Sequence, residues 1–288
     1  MIDDKITLNN GTEMPCIGFG TWFLDDDVVV DAIKDATSVG YRLIDTAEAY
    51  GNEKGVGIGI KECGIPRDEI FLTTKLAAEY KDYDSASKAI DESLEKLQVD
   101  YIDLMIIHSP EPWDDFRNED HYLNGNIEAY RALEDAYKEG KLKAIGLSNF
   151  LKEDVKNILD NCEIKPQVNQ ILCHIGTPSL DLIDYCQDND IVVEAYSPIA
   201  HGAILDNNEV QKIADKYNVS LPALCVRYTM ELGCIPIPKT GNIEHMKDNA
   251  DVDFKISDED MEYLKTLVVD DYGEDSMFPV FAGRNLKQ

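Results

Sequence analysis

The chain has 288 residues, 56 acidic against 27 basic side chains, a formal net charge of −29 at neutral pH and 44% hydrophobic residues. That apolar content supplies a large core and excludes a disordered chain. The negative charge excludes nucleic acid or an anionic membrane held by a general positive field, so any anionic ligand must meet locally placed cations.

The N-terminus, MIDDKITLNN, lacks the basic start and apolar core of a signal peptide. No apolar run approaches the roughly 18 residues needed to span a bilayer. The seven cysteines, Cys16, Cys63, Cys162, Cys173, Cys186, Cys225 and Cys234, form no C-x-x-C pair. Reduced thiols in a cytoplasmic protein are expected, not a disulfide framework or a thiolate zinc site.

Lys5–Leu8 and Thr12–Pro15 flank Asn9-Asn10-Gly11, a hairpin signal. Eight short apolar runs follow: Cys16–Phe19, Arg42–Ile44, Ile70–Thr74, Ile102–Ile107, Ala144–Leu147, Gln167–Gln170, Ile191–Tyr196 and Ile235–Ile237. Between them lie stretches with apolar residues at helical spacing: Ala86–Leu97, Ile127–Tyr137, Leu151–Leu159, Leu180–Cys186, Val210–Tyr217 and Leu221–Met230. Ser257 to Asp260 reads as a capping box that opens one more helix, to about Val268. The tail from Asp270 to Gln288 reads as irregular.

Strands alternating with helices imply parallel pairing through right-handed crossovers. Eight such units predict one α/β domain over residues 1–288, a (β/α)8 TIM barrel with the hairpin as a cap on its bottom. Runs such as IDLMIIH suit strands buried on both faces.

Active sites of such barrels sit at the C-terminal ends of the strands. There the sequence places Asp45 with Tyr50 nearby, then Lys75, His108, Ser148 with Asn149, Gln170, Tyr196 with Ser197, and Lys239 with Thr240. An Asp, a Tyr, a Lys and a His on one rim make a proton-transfer site. Tyrosine titrates near ~10, and the Lys75 ammonium is expected to lower that value, with Asp45 fixing the lysine. His108 is placed to orient or polarise a substrate oxygen. His121, His174 and His201 show no ligand spacing, so no metal is expected. The acidic stretch Glu111, Asp114, Asp115, Glu119 and Asp120 reads as a solvated face.

Seven segments carry a resemblance over nearly the whole chain: MPCIGFGTW (14–22), GYRLIDTAEAYGNEKGVG (40–57), DESLEKLQVDYIDLMIIH (91–108), GKLKAIGLSNF (140–150), VNQ (168–170), VVEAYSPIA (192–200) and IPIPKT (235–240). The sequence resembles the aldo-keto reductases, of the bacterial kind similar to 2,5-diketogluconate reductases. That resemblance implies a barrel binding NADP(H) across its rim without a Rossmann domain, and Gly55, Gly57 and Gly59 indeed lack G-x-G-x-x-G spacing. It implies a catalytic tetrad of Asp45, Tyr50, Lys75 and His108, with Tyr50 protonating the carbonyl oxygen. It also implies that Ser148, Asn149 and Gln170 hold the nicotinamide carboxamide, that Tyr196 stacks on the ring, and that Ser197 and Pro198 lie over the pyrophosphate. Gly20, Thr21, Trp22, Asp45, Lys239, Thr240, His245, Asp248 and Asn249 complete the implied cofactor set, and Trp22, Tyr50, His108 and Trp113 the substrate set.

Three departures from the family pattern matter, one of them the tail 270–288, where the family's substrate loop lies. Ser109 follows His108 where the family has H-W-P, so the missing indole opens the pocket unless Trp22 or Trp113 fills it. His245 stands where the family has an arginine near the cofactor's 2′-phosphate. A guanidinium clamps phosphate at any pH and an imidazole does not, so a weakened NADPH preference is expected, with NADH also usable. The expected partner is a small-molecule carbonyl, reduced to an alcohol by a monomer. The competing reading is a nucleotide-sensing regulatory module of the same fold, which an impaired tetrad would mark. A steroid double-bond reductase would carry Glu at the His108 position.

Overall fold

The computed structural model describes residues 2–118, 120–269 and 271–281. Strands β1 (Lys5–Thr7) and β2 (Glu13–Pro15) pair antiparallel, and Gly11 takes the left-handed φ of 86° that their turn requires. Cys16 belongs to this hairpin and not to the next strand, because its N–H bonds the Asp4 carbonyl at 3.0 Å.

Eight parallel strands follow: β3 (Gly18–Gly20), β4 (Leu43–Asp45), β5 (Phe71–Leu76), β6 (Ile102–Ile107), β7 (Leu142–Ser148), β8 (Val168–Leu172), β9 (Val192–Tyr196) and β10 (Ile235–Ile237). They lie side by side in chain order, and the Gly20 N–H donates to the Pro238 carbonyl at 3.0 Å to close β10 onto β3. The TIM barrel expected from the eight apolar runs is therefore present.

The side-chain period of two divides each strand between lumen and jacket. Leu43, Phe71, Leu104, Ile106, Ala144, Val168, Ile235 and Ile237 fill the lumen, with Leu8 and Met14 of the hairpin region among them at the bottom. Ile44, Leu72, Met105, Ile107, Ile145, Leu147 and Val193 face outward into the larger core under the helices. Continuing the alternation toward the strand ends brings Asp45, Lys75, His108, Ser148, Gln170, Tyr196 and Lys239 onto the lumen side. Register sets them at similar height, since Lys75 stands opposite Ile106 and Ser148 opposite Gln170.

The helices are α1 (Val28–Val39), α2 (Glu53–Glu62), α3 (Tyr83–Leu97), α4 (Leu123–Lys138), α5 (Lys152–Asn161), α6 (Leu180–Asp188), α7 (Asn208–Tyr217), α8 (Leu221–Glu231), α9 (Ile243–Ala250) and α10 (Asp258–Lys265). Ser257 caps α10 through the Asp260 N–H, as its sequence predicts. That helix stops at Lys265, short of Val268, because the Val269 N–H turns to the Gly176 carbonyl. In α2 the glycines serve packing: a Cβ at Gly55 would lie 1.9 Å from the Asp26 carbonyl oxygen, and one at Gly57 2.1 Å from that of Leu97. The tail expected to be irregular contains two short 3-10 turns, Gly273–Met277 and Pro279–Phe281, while residues 270 and 282–288 lie outside the described part. All seven cysteines are free, and no described helix is long and apolar enough to cross a membrane.

Candidate active site

Lys75 is the centre of the site. Its ammonium group is fully buried and donates to Asp45 Oδ1 at 2.6 Å, to the Thr46 carbonyl at 2.8 Å and to Tyr50 Oη at 3.2 Å. An ammonium has three protons, so all are committed. Tyr50 Oη accepts one of them, which leaves its own O–H free to donate elsewhere. Asp45 is fixed in turn, since Thr21 donates to its backbone carbonyl from N–H and Oγ1, and Gln170 Nε2 donates to its Oδ2 at 2.8 Å.

Tyr50 reaches this point from a single 3-10 turn, Glu48–Tyr50. Asn52 pins the segment: its amide donates to the Thr21 and Leu24 carbonyls and its oxygen accepts from Thr46 Oγ1. Buried Glu53 accepts from Thr74 Oγ1 at 2.6 Å and ties α2 to β5.

Burial alone would lower the Lys75 ammonium, but Asp45 and Tyr50 outweigh it and hold the group above its ordinary value, hence charged. Tyr50 differs from the sequence expectation. Burial raises it, the pull of Lys75 is smaller, and Asp45 pushes upward again, so the phenol stays above its usual value. The physical reason is that the Asp45–Lys75 pair is neutral as a unit, so the phenol sees little net positive charge. Burial, and then Lys75, drives His108 well below the ordinary histidine range, so its imidazole is neutral. Its ring meets Tyr50 at 5.7 Å and Trp113 at 5.0 Å, both edge-on. Trp113 thus packs on the ring of His108, the neighbour of Ser109. Trp22 lies 6.3 Å from Tyr50 on the other side.

The remaining rim residues sort into two groups. Ser148, Asn149, Gln170 and Tyr196 are joined: Asn149 Nδ2 donates to Ser148 Oγ and to the His108 carbonyl, and Tyr196 Oη donates to Asn149 Oδ1. Ser197, at φ 52°, and buried Pro198 follow immediately. Gly20 and Lys239 are bridged backbone to backbone. Thr240 Oγ1 lies 3.4 Å from His245 Nδ1, so His245 is at this end of the rim. Exposed Lys239 has no carboxylate within ion-pair distance among the described residues, despite the excess of acids. Asn249 is buried, and its Oδ1 is unbonded among the described residues. Asp248 accepts from Ser220 Oγ and lines a cavity of about 400 Å³ with Asp215, Asn218 and Asp251.

Several contributors escaped sequence reasoning. Glu194, buried in β9, accepts from Gln170 Nε2 at 3.0 Å. Phe278 of the tail packs edge-on against Trp22 at 5.1 Å, and His174 Nε2 bonds Tyr272 Oη at 2.9 Å, which docks the tail beside the cleft. Glu111 is not on a solvated face: it is 1% exposed and sits against Arg117. Glu111, His121 and Asp154 bring ligand-type atoms within 4.8 Å of one another, a grouping invisible in their spacing along the chain. Glu119 lies outside the described residues.

The profile of the Aldo/keto reductase family matches residues 16–269. A glyoxal reductase of Bacillus subtilis (strain 168) is 40% identical over 272 residues, covering 94% of this chain and 95% of that protein. An aldo-keto reductase from a Medee basin deep-sea metagenome library has a TM-score of 0.84 at 39% identity, covering 91% of this chain and 94% of the other. An aldo-keto reductase of Bombyx mori, solved in complex with NADP, has a TM-score of 0.84 at 32% identity, covering 98% and 99%.

Proposed function

The chain belongs to the aldo/keto reductase family and is an oxidoreductase by that membership, and we propose that it uses a nicotinamide dinucleotide, NADPH before NADH, to reduce small aldehydes or ketones to alcohols. The observation that carries this reading is the hydrogen-bond direction at Tyr50: Lys75 donates to its oxygen, so the phenol has one proton and an outward path for it.

The residues fit the cofactor. Among the described residues Lys239 is a cation without a carboxylate partner and Asn249 presents a buried unbonded oxygen, and Ser148, Asn149 and Gln170 form an amide-rich wall. Lys239, Thr240 and His245 would hold the 2′-phosphate end, Asp248 and Asn249 the adenine end, and Tyr196 would support the nicotinamide face. Gly20, Thr21, Trp22, Ser197 and Pro198 complete that wall. A bound dihydronicotinamide supplies hydride to the carbonyl carbon.

Tyr50 gives its proton to the carbonyl oxygen, and the adjacent Lys75 ammonium stabilises the phenolate left behind. Asp45 keeps the ammonium in place. Neutral His108 donates one hydrogen bond to the same oxygen without competing as an acid. Trp22 and Trp113 border the substrate. A reducing, cytoplasmic setting suits seven free thiols.

The test is NADPH oxidation against a panel of carbonyls that includes glyoxal, the compound in the name of the Bacillus relative, repeated with NADH. Steady turnover supports the reading. Oxidation that stops at one equivalent would favour the sensing module.

A further inference from the structure

Glu194 lies inside the barrel behind the site, on β9, level with Gln170 of β8 and Ile235 of β10. It is fully buried, and of its two oxygens Oε2 accepts from Gln170 while Oε1 has no hydrogen-bond partner among the described residues. The same Gln170 nitrogen donates to Asp45 Oδ2. One amide group therefore bridges two carboxyl groups from different walls of the barrel. This fixes which way the Gln170 amide faces, because its NH₂ meets two acceptors and its oxygen is left for other use.

Charge decides the rest. Asp45 and Lys75 already cancel, and the lumen beneath them is filled mainly by apolar side chains. A second carboxylate there would be uncompensated, and an isolated buried charge relieves itself by taking a proton. The groups that face Glu194 are Asp45 from β4 and Lys75 from β5, with Tyr50 beyond them; Gln170 from β8 is neutral and Ile235 from β10 is apolar. Tyr196 is the next lumen-facing residue on its own strand.

We propose that Glu194 is a positioning residue for the carbonyl chemistry: a proton-bearing carboxyl group that braces the Gln170 amide and, by remaining neutral, leaves Asp45 as the sole counter-ion of Lys75. This rests on the reductase reading for its catalytic consequence, though not for the protonation itself. Burial, and then the nearby Asp45 charge, lift Glu194 to about 8. Above that pH a second negative charge forms behind the site. It raises Tyr50 further, so the phenol keeps its proton to higher pH.

The test uses Glu194→Gln, which keeps shape and an acceptor but carries no charge at any pH. Infrared difference spectra of wild type minus E194Q at pH 6.5 should show the carbonyl stretch of a protonated carboxyl group, and that band should fade in the wild type as pH rises past about 8. In turnover, the alkaline limb of the E194Q reduction profile should lie at lower pH than the wild-type limb by about half a unit or more. A carboxylate band in place of the protonated one overturns the proposal. So does a folded E194Q protein that keeps the wild-type alkaline limb. The infrared arm needs no substrate, so a protein that reduces no carbonyl would refute the function and leave the Glu194 assignment to be judged by its band.

Discussion

Tyr196 Oη donates to Asn149 Oδ1 over 2.7 Å, from the end of β9 to the residue just past β7. Asn149 sits at φ 62°, a left-handed conformation that asparagine tolerates better than most residues. Its amide nitrogen is spent on Ser148 and the His108 carbonyl, and its own carbonyl accepts from Arg117 Nη2 at 2.8 Å. Tyr196→Phe keeps the ring and removes this tether. A hydrogen bond of ordinary net worth, ~1 kcal/mol, sets the expected loss of NADPH affinity at about fivefold. Fluorescence titration reads it, and unaltered affinity would show that Arg117 and His108 hold Asn149 unaided.

Tyr50→Phe removes the proton donor and little else, since the ring still packs beside His108. Turnover should fall by about 10²–10⁴, the usual range for general acid catalysis, with NADPH affinity within about twofold of wild type. Steady-state assays beside a binding titration separate the two. Activity above a few per cent would move the acid elsewhere.

Lys75→Met should harm both chemistry and stability. Asp45 would remain buried at 2% exposure with no cation, and stranding a buried charge costs about 3–5 kcal/mol. Urea unfolding at pH 7 should show that loss, and Lys75→Met combined with Asp45→Asn, which strands no charge, should recover part of it. A double variant no more stable than Lys75→Met alone would mean that Asp45 is not the residue left unpaired.

His174 provides a pH dependence whose sign can be worked out. Its Nδ1 lies 2.6 Å from the Ile175 carbonyl, an acceptor only, so Nδ1 carries the proton and Nε2 accepts from Tyr272. Burial depresses the folded value to about 4 against an ordinary 6.5, so the unfolded chain binds the extra proton more readily. The folded state is thus favoured in full above about 6.5 and loses this contribution as pH falls toward 4. From pH 7 to 5 the loss is about 2 kcal/mol. Urea titrations of wild type and His174→Gln at both pH values check it: the variant should show a shallower decline, and parallel declines would refute the assignment.

His245 is exposed, next to Thr240 at the Lys239 end of the rim. His245→Arg adds a permanent forked cation there and should tighten NADPH about tenfold while leaving NADH nearly unaltered. Parallel titrations of both cofactors decide it. Equal gains would place His245 away from the 2′-phosphate.

The strands were legible because lumen and jacket both demand apolar side chains, and the rim because polar residues end those runs. Glu194 was not, since one carboxylate inside VVEAY looks like noise until Gln170 and Asp45 are seen around it. Glu111 misled because its sequence neighbours are acidic, while its burial comes from Arg117, His121 and the distant Asp154. Helix α2 was hidden by glycines whose weak helix propensity is overridden by packing too close for a Cβ. The seat of Phe278 on Trp22 depends on the tail crossing to β3's loop, which no local pattern encodes.

The polar chain Lys75–Asp45–Gln170–Glu194 crosses the lumen from β5 and β4 to β8 and β9, above a barrel interior filled mainly with hydrocarbon. Buried ion pairs replaced whole by apolar residues of like volume are often neutral or stabilising, by about 1–4 kcal/mol. A barrel refilled with leucine and methionine at these positions would then be at least as stable as this one, and inert. Selection for heat resistance alone would erase the chain of polar groups, so its persistence in a thermally improved lineage would itself report that turnover was still under selection.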